Sequence, residues 1–387
     1  MPFRSASPLL EPAGLAPLRL RPGLAKLRTT AGDTGWLVTR RADLRKLGMD
    51  PRIGRSHADP DHAPRLWDAA LFTPQANFDT EVEDHRRWRR AVSHRFGASR
   101  IDALRPQAGR LCAGLLDAMV AEGAPADLHA ALADPFASRL NFDVLGIPPE
   151  DHDRMRALSD DLRTDDRDRA TTAHAFFVRY LTDLLAHKRR HPGDDALSDL
   201  ATARDSDGPL TPAQAFEGAY QLYFGGYETL AARISLGVLA LLTHPDQYEA
   251  LATGRAPASG AVEEILRFAV PGGSWIPRYA LADIDHHGDR IRAGDLVVFC
   301  VQSANRDESA FTDADRFDIT REPNPHVGFG HGNFHCAGAS LARLGLSAIL
   351  GSLPPHLPRL RLHTSRTAPT THDGKVTGGL HALPVTW

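Results

Sequence analysis

The chain of 387 residues reads as a mainly α protein with a small β portion. Apolar residues recur at three- and four-residue spacing along most of its length, while strand-like runs are short and few. No internal repeat and no low-complexity tract long enough for a flexible linker divides it, so a single domain over 1–387 is expected.

Helical periodicity runs over about 82–96, 100–122, 152–162, 171–190, 211–243, 246–253, 261–268 and 338–352. Strand-like runs fall near 33–39 (DTGWLVT), 278–283, 289–293 and 295–301 (DLVVFCV). The stretch 191–212 is polar and closes on a helix start, where Thr211, Pro212 and Gln214 fit an N-cap, an N1 proline and a capping-box partner. The helix launched there covers roughly 32 residues, a rod of about 48 Å at about 1.5 Å per residue, long enough to cross a domain.

Composition is that of an ordinary globular protein, 42% hydrophobic and 24% charged. A net charge of −3 provides no overall basic field to recruit nucleic acid. In MPFRSASPLLEPAGLAPLRLRPG, proline and charge interrupt each apolar run before it reaches the length of a signal segment or membrane span, so a cytoplasmic protein without membrane attachment is expected. Three cysteines, Cys112, Cys300 and Cys336, are an odd number without CxxC spacing, which argues against a disulfide framework and a zinc ribbon.

Cys336 has unusual surroundings. In PHVGFGHGNFHCAGASLARLGLSAIL it stands between a loop containing Gly328, Gly330 and Gly332 and a helix starting near Gly338. Glycines let backbone turn sharply and approach a flat ligand, and free amides at a helix start can donate to a thiolate. A metal-bound thiolate fits; so do a buried, unreactive cysteine and a phosphate loop, although the Lys-Ser/Thr ending of a Walker loop is missing.

Phe329-Gly330-x-Gly332 with Cys336 and Gly338 resembles the cysteine-ligand loop of the cytochrome P-450 family. The resemblance covers about residues 75–350, with its motifs in the family order. It implies the cytochrome P-450 fold with the long helix crossing the haem, heme b (iron protoporphyrin IX) as cofactor, and Cys336 as the axial iron ligand whose electron donation favours O–O cleavage. Two positions depart from the family. Phe334 stands two residues before the cysteine, where relatives usually carry a basic residue that meets a haem propionate, and Gly345 stands where many have Glu. Restoring a basic residue at 334 is therefore expected to tighten haem binding.

Further motifs carry the same resemblance. Glu264 and Arg267 form an ExxR pair similar to the family's buried ion pair, with Arg316 of the ADRF segment as the implied third member. His85 and Arg89, four apart on one helical face, resemble the groups that meet the two propionates, and Arg278 of IPRYA resembles a third. Gly225-Gly226-Tyr227-Glu228-Thr229 sets two glycines in a helix interior at a cost of about 1 kcal/mol each relative to alanine. It resembles the family's oxygen-binding groove, which implies that Glu228 is the acid and Thr229 the hydroxyl delivering protons to bound oxygen.

The function implied is dioxygen-dependent monooxygenation of a small or medium organic substrate in secondary metabolism. The alternatives are oxidative coupling, such as aromatic crosslinking of a peptide or phenolic substrate, and a non-catalytic haem sensor. Electrons are expected from an iron–sulfur ferredoxin with its reductase, docking on an outward face bearing Arg86, Arg87 and Arg90. Pocket walls are expected from 65–80, Tyr223, Phe224 and Gly272 to Ile276, with Trp275 a possible roof over an aromatic substrate.

Overall fold

A computed structural model of the chain describes residues 7–67, 74–162, 167–272, 274–363, 370–371 and 379–387. They form two compact units, each assembled from three separate stretches of chain: Met1–Val82, Leu236–Cys336 and Thr364–His381 in one, and Glu83–Ser235, Ala337–His363 and Ala382–Trp387 in the other. No helix among the described residues is long and apolar enough to cross a membrane.

The first unit is built on a five-stranded sheet in the order Ala25–Arg28, Thr34–Val38, Leu296–Cys300, Trp275–Ala280, Ile53–Gly54. Only Leu296–Cys300 and Thr34–Val38 run parallel. Side chains alternate across a strand. Val297 and Phe299 accordingly join one core with Trp36, Val38, Leu44 and Leu47, the last two from helix Arg41–Gly48. Leu296, Val298 and Cys300 join a second core with Leu15, Leu37, Trp275 and Tyr279. Burial on both faces explains why DLVVFCV reads as an unbroken apolar run. Trp275 is a core residue of this sheet and not the roof of a pocket. Of the other expected pocket walls, 68–73 and 273 lie outside the described residues.

Hairpin strands Ile284–His286 and Asp289–Ile291 meet at a turn in which His287 and Gly288 both have positive φ, 52° and 85°. Asp43 ties the turn to its helix: one carboxylate oxygen lies 3.0 Å from His286 Nε2 and 2.8 Å from His287 Nε2, while Arg40 donates to the other at 2.6 Å. The carboxylate already has a cation and two imidazoles, and we read the group as a structural charge cluster.

The second unit is helical, with a minor sheet ordered Arg361–Leu362, Pro384–Thr386, Ala126–Asp127. The capping box forms as its residues predict: Thr211 Oγ1 accepts from Gln214 N at 3.2 Å and Gln214 Oε1 accepts from Thr211 N at 3.0 Å, with Pro212 opening the helix. The expected rod 211–243 is interrupted, giving helices Pro212–Gly226 and Glu228–Thr243 on either side of Tyr227. The expected helix 100–122 is likewise two, Ala98–Ala103 and Arg105–Glu122, since Pro106 suits a first turn and not an interior. Helix Asp134–Leu145 has no counterpart in the periodicity. Pro135, Phe136, Ala137, Leu140, Asn141 and Phe142 are all buried, and only Arg139 and Asp143 are exposed, too narrow a polar stripe to set the phase.

Candidate functional site

The loop before Cys336 depends on backbone conformations that favour glycine. Gly330 and Gly332 have φ of 72° and 76°, and a Cβ at 332 would lie 1.9 Å from the carbonyl oxygen of Gly48. A Cβ at Gly328 would lie 2.5 Å from the Leu266 carbonyl oxygen, so this glycine lets the loop press on helix Ala258–Phe268. The loop then closes on itself. Gly330 N donates to Val327 O at 2.9 Å, His335 N to Gly332 O at 3.0 Å, and Cys336 N to Phe329 O at 3.0 Å. Cys336 is half-buried, whereas burial pushes the thiols of Cys112 and Cys300 up to about 11 and about 12. Of the three, Cys336 alone is not fully buried. Gly338 caps the helix Ala339–His356 that follows.

Glu264 and Arg267 are wholly buried and paired twice, Nε to Oε2 at 2.8 Å and Nη2 to Oε1 at 2.7 Å. Arg267 also donates to the carbonyls of Asn305, Ala314 and Arg316 at 3.0, 2.6 and 2.8 Å. Arg316 is therefore not the third ionic member. Its backbone joins the network, but its side chain is 65% exposed and turns toward Asp318. Arg321 takes the role, 3.3 Å from Glu264 and 10% exposed. Asn324 Nδ2 and Asp318 N complete the carboxylate's partners at 3.0 and 2.8 Å. Sequence reading missed Arg321 and Asn324 because nothing in residue spacing tells which basic residue of an irregular loop turns inward.

In the second unit the two glycines of GGYET divide their tasks. A Cβ at Gly226 would lie 2.1 Å from Asn141 Oδ1, while one at Gly225 would meet nothing within 4 Å. Gly226 thus admits a neighbouring helix, whose Asn141 braces the Leu222 carbonyl at 3.5 Å, and Gly225 keeps an open side. Thr229 Oγ1 donates to Gly225 O at 2.7 Å across the interruption. Gly225 and Thr229 are exposed, but Glu228 between them and the core is buried. Tyr223, expected to line a pocket, is instead fully buried, its hydroxyl 2.9 Å from both Ser159 Oγ and Met155 O. Phe224 is half-buried and packs on Phe177 and Tyr220.

His85 and Arg89 lie on helix Glu81–Val92, both half-buried and both against Trp88, at 5.2 Å between rings for His85 and 6.0 Å from the Arg89 guanidinium carbon to the ring. The buried Trp88 indole N–H has no hydrogen-bond acceptor among the described residues. Arg87 does not face outward as expected. It is buried, donating to Asp205 at 3.0 and 2.9 Å and to Gly208 O at 3.0 Å. Arg86 is exposed but paired with Glu83, which leaves Arg90 as the exposed cation of the expected trio without an ion pair among the described residues.

In the first unit Arg278 is half-buried and donates one hydrogen bond among the described residues, from Nη1 to Pro277 O at 2.8 Å. Desolvation and then the nearby Arg55 push its guanidinium down to about 9, which marks a cation short of countercharge. Within the first unit, a half-buried thiol on a glycine-shaped loop with a desolvated guanidinium on a strand beside it fits a haem; the second unit, taken by itself, offers a buried indole N–H flanked by His85 and Arg89.

Comparison with known proteins agrees. Residues 258–382 match the family model described as Cytochrome P450. Pentalenolactone synthase of Streptomyces exfoliatus is 37% identical, covering 92% of each chain, and mycinamicin IV hydroxylase/epoxidase of Micromonospora griseorubida is 35% identical, covering 94% of this chain and 92% of that protein. Among solved structures, the LnmA cytochrome P450 hydroxylase from the leinamycin pathway of Streptomyces atroolivaceus superposes with a TM-score of 0.88 at 36% identity, over 100% of this chain and 99% of that one.

Proposed function

This chain belongs to the cytochrome P450 family, whose cofactor is haem b, and from that premise we propose a monooxygenase in which Cys336 holds the iron, His85, Arg89 and Arg278 hold the propionates, and Glu228 and Thr229 handle protons. Its substrate, on this reading, is a small or medium secondary metabolite. Relatives named as hydroxylases and epoxidases favour oxygen insertion over the coupling and sensor readings. When bound, the haem supplies the dioxygen and electron-transfer chemistry, while the protein orients, excludes water and moves protons.

The observation that carries this reading is the helix interruption at Tyr227 with the Thr229 hydroxyl tied to Gly225 O at 2.7 Å. The bond is the i−4 back-bond that helical threonines commonly make, as Thr182 and Thr202 do here; what sets Thr229 apart is that it spans the interruption beside an open glycine. The hydroxyl oxygen retains acceptor capacity, and releasing Gly225 frees its proton to be donated elsewhere. Glu228, buried one residue earlier, is the acid that replenishes it.

Thr229→Ala is expected to keep haem and the substrate-induced spin shift while diverting reducing equivalents to hydrogen peroxide. The measurement is product formed and peroxide released per reduced nicotinamide consumed; an unchanged ratio removes Thr229 from the proton path. We assign electron delivery to an iron–sulfur ferredoxin and its reductase in the cytoplasm. Exposed Arg90 is the docking cation to test, since opposite charge raises association rates. Arg90→Glu is expected to slow ferredoxin-dependent reduction and flatten its salt dependence without altering the carbon monoxide spectrum. Reduction at the wild-type rate and salt response would put the docking face elsewhere.

A further inference from the structure

Consecutive residues of a strand turn their side chains to opposite faces. His286 and His287 do not. His286 closes strand Ile284–His286, and His287 opens the turn to Asp289–Ile291 with φ of 52°, a backbone conformation that few residues other than glycine adopt. The chain reversal brings both imidazoles to one side, with ring centroids 4.4 Å apart at 74°. Both Nε2 atoms meet the same oxygen, Asp43 Oδ1, at 3.0 and 2.8 Å.

One imidazole would suffice to tie this turn to helix Arg41–Gly48. Two central turn residues with positive φ also form the turn type for which Asn-Gly is the favoured pair, so His287 is the costlier choice for folding alone. What the second histidine adds is a ligand set. Two imidazole nitrogens and a carboxylate oxygen converge, all within 4.8 Å of one another. Tetrahedral zinc sets its ligand atoms about 3.3 Å apart, and the two oxygen–nitrogen separations here lie within about 0.5 Å of that value.

The surroundings suit a bound ion. Arg40 Nε donates to Asp43 Oδ2 at 2.6 Å, which orients the carboxylate and leaves Oδ1 to the imidazoles, the arrangement of an outer partner on a ligating carboxylate. Asp43 and His286 are buried, whereas the His287 side chain is 46% exposed and gives the ion an entry and a solvent side for water as a fourth ligand.

We propose that Asp43, His286 and His287 form a binding site for a divalent transition-metal ion of the zinc class, with Arg40 orienting the carboxylate. Two imidazoles select such an ion over calcium and magnesium, which take oxygen ligands. On binding, the ion takes the place of the Nε2 protons; each neutral imidazole carries its proton on Nδ1 instead, and no electron is transferred. The helix that supplies Asp43 also supports the cysteine loop: a Cβ at Gly48 would lie 2.8 Å from the His331 carbonyl oxygen. The ion therefore pins the hairpin to the helix on which that loop rests.

The test is zinc bound per chain, measured by elemental analysis after equilibrium dialysis of the holoprotein against zinc buffered in the micromolar range. His286→Ala and His287→Asn are each expected to weaken zinc binding more than about tenfold, since loss of an outer partner alone costs that much. Asn at 287 makes the favoured Asn-Gly pair, so the turn is kept while the ligand is lost. Zinc should raise the unfolding temperature of the wild type and not that of His287→Asn. His62→Ala, which removes an exposed histidine paired with Asp59, should bind as the wild type does. Equal binding by the wild type and His287→Asn means an adventitious ion only and overturns the inference, as does a wild type that takes up no zinc. If His286→Ala does not fold, His287→Asn decides. None of these readouts passes through oxygenation, so the metal site and the proposed function fail separately.

Discussion

Replacing Cys336 by His is expected to abolish oxygenation and to remove the thiolate signature from the reduced carbon monoxide spectrum, even where haem is retained. The loop gives the reason. Its course is set by Gly328, Gly330 and Gly332 and by backbone bonds, including Cys336 N to Phe329 O at 3.0 Å, none of which needs the thiol. The substitution therefore tests the ligand more than the fold. A neutral imidazole lacks the electron donation that a thiolate provides for O–O cleavage. Neither remaining cysteine can substitute, because Cys112 and Cys300 are buried in apolar surroundings that push their thiols up to about 11 and about 12. Replacing either by Ala should leave the spectrum intact. A Cys336→His protein that turns over substrate at the wild-type rate with a thiolate spectrum would refute the assignment.

What could be read from the chain follows how local each feature is. The GFG loop, ExxR, the capping box at Thr211 and the GGYET segment are each set by residues within a few positions of one another. The ExxR pair and the capping box form as their residues predict, whereas GGYET, expected within one continuous rod, interrupts it. Helix Asp134–Leu145 escaped notice because burial on nearly all sides erases the period that reveals amphipathic helices. Tertiary choice was harder. Arg87 was expected outside and is buried on Asp205; Tyr223 was expected on a pocket and is in the core. In both cases the deciding partner lies far along the chain.

The buried ion pair allows a prediction whose order of effects depends on geometry that spacing could not supply. Glu264→Gln leaves Arg267, a wholly buried guanidinium, with carbonyl partners but no countercharge. Breaking such a pair from one side costs about 3–5 kcal/mol. Arg321→Ala removes a mostly buried partner at 3.3 Å from Glu264, along with donations to the Thr312, Asp313 and Arg316 carbonyls. Because Arg267 remains in place, the loss should be nearer about 1.5–3 kcal/mol, the range of a hydrogen bond to a charged group. Arg316→Ala should change stability by no more than about 0.5 kcal/mol, since the side chain is largely in solvent and the carbonyl that Arg267 uses belongs to the backbone. Thermal unfolding and haem-loaded yield of the three variants should therefore fall in the order Glu264→Gln, Arg321→Ala, Arg316→Ala, from greatest loss to least. An Arg316→Ala variant as damaged as Glu264→Gln would restore Arg316 as the third ionic member and remove Arg321 from that role.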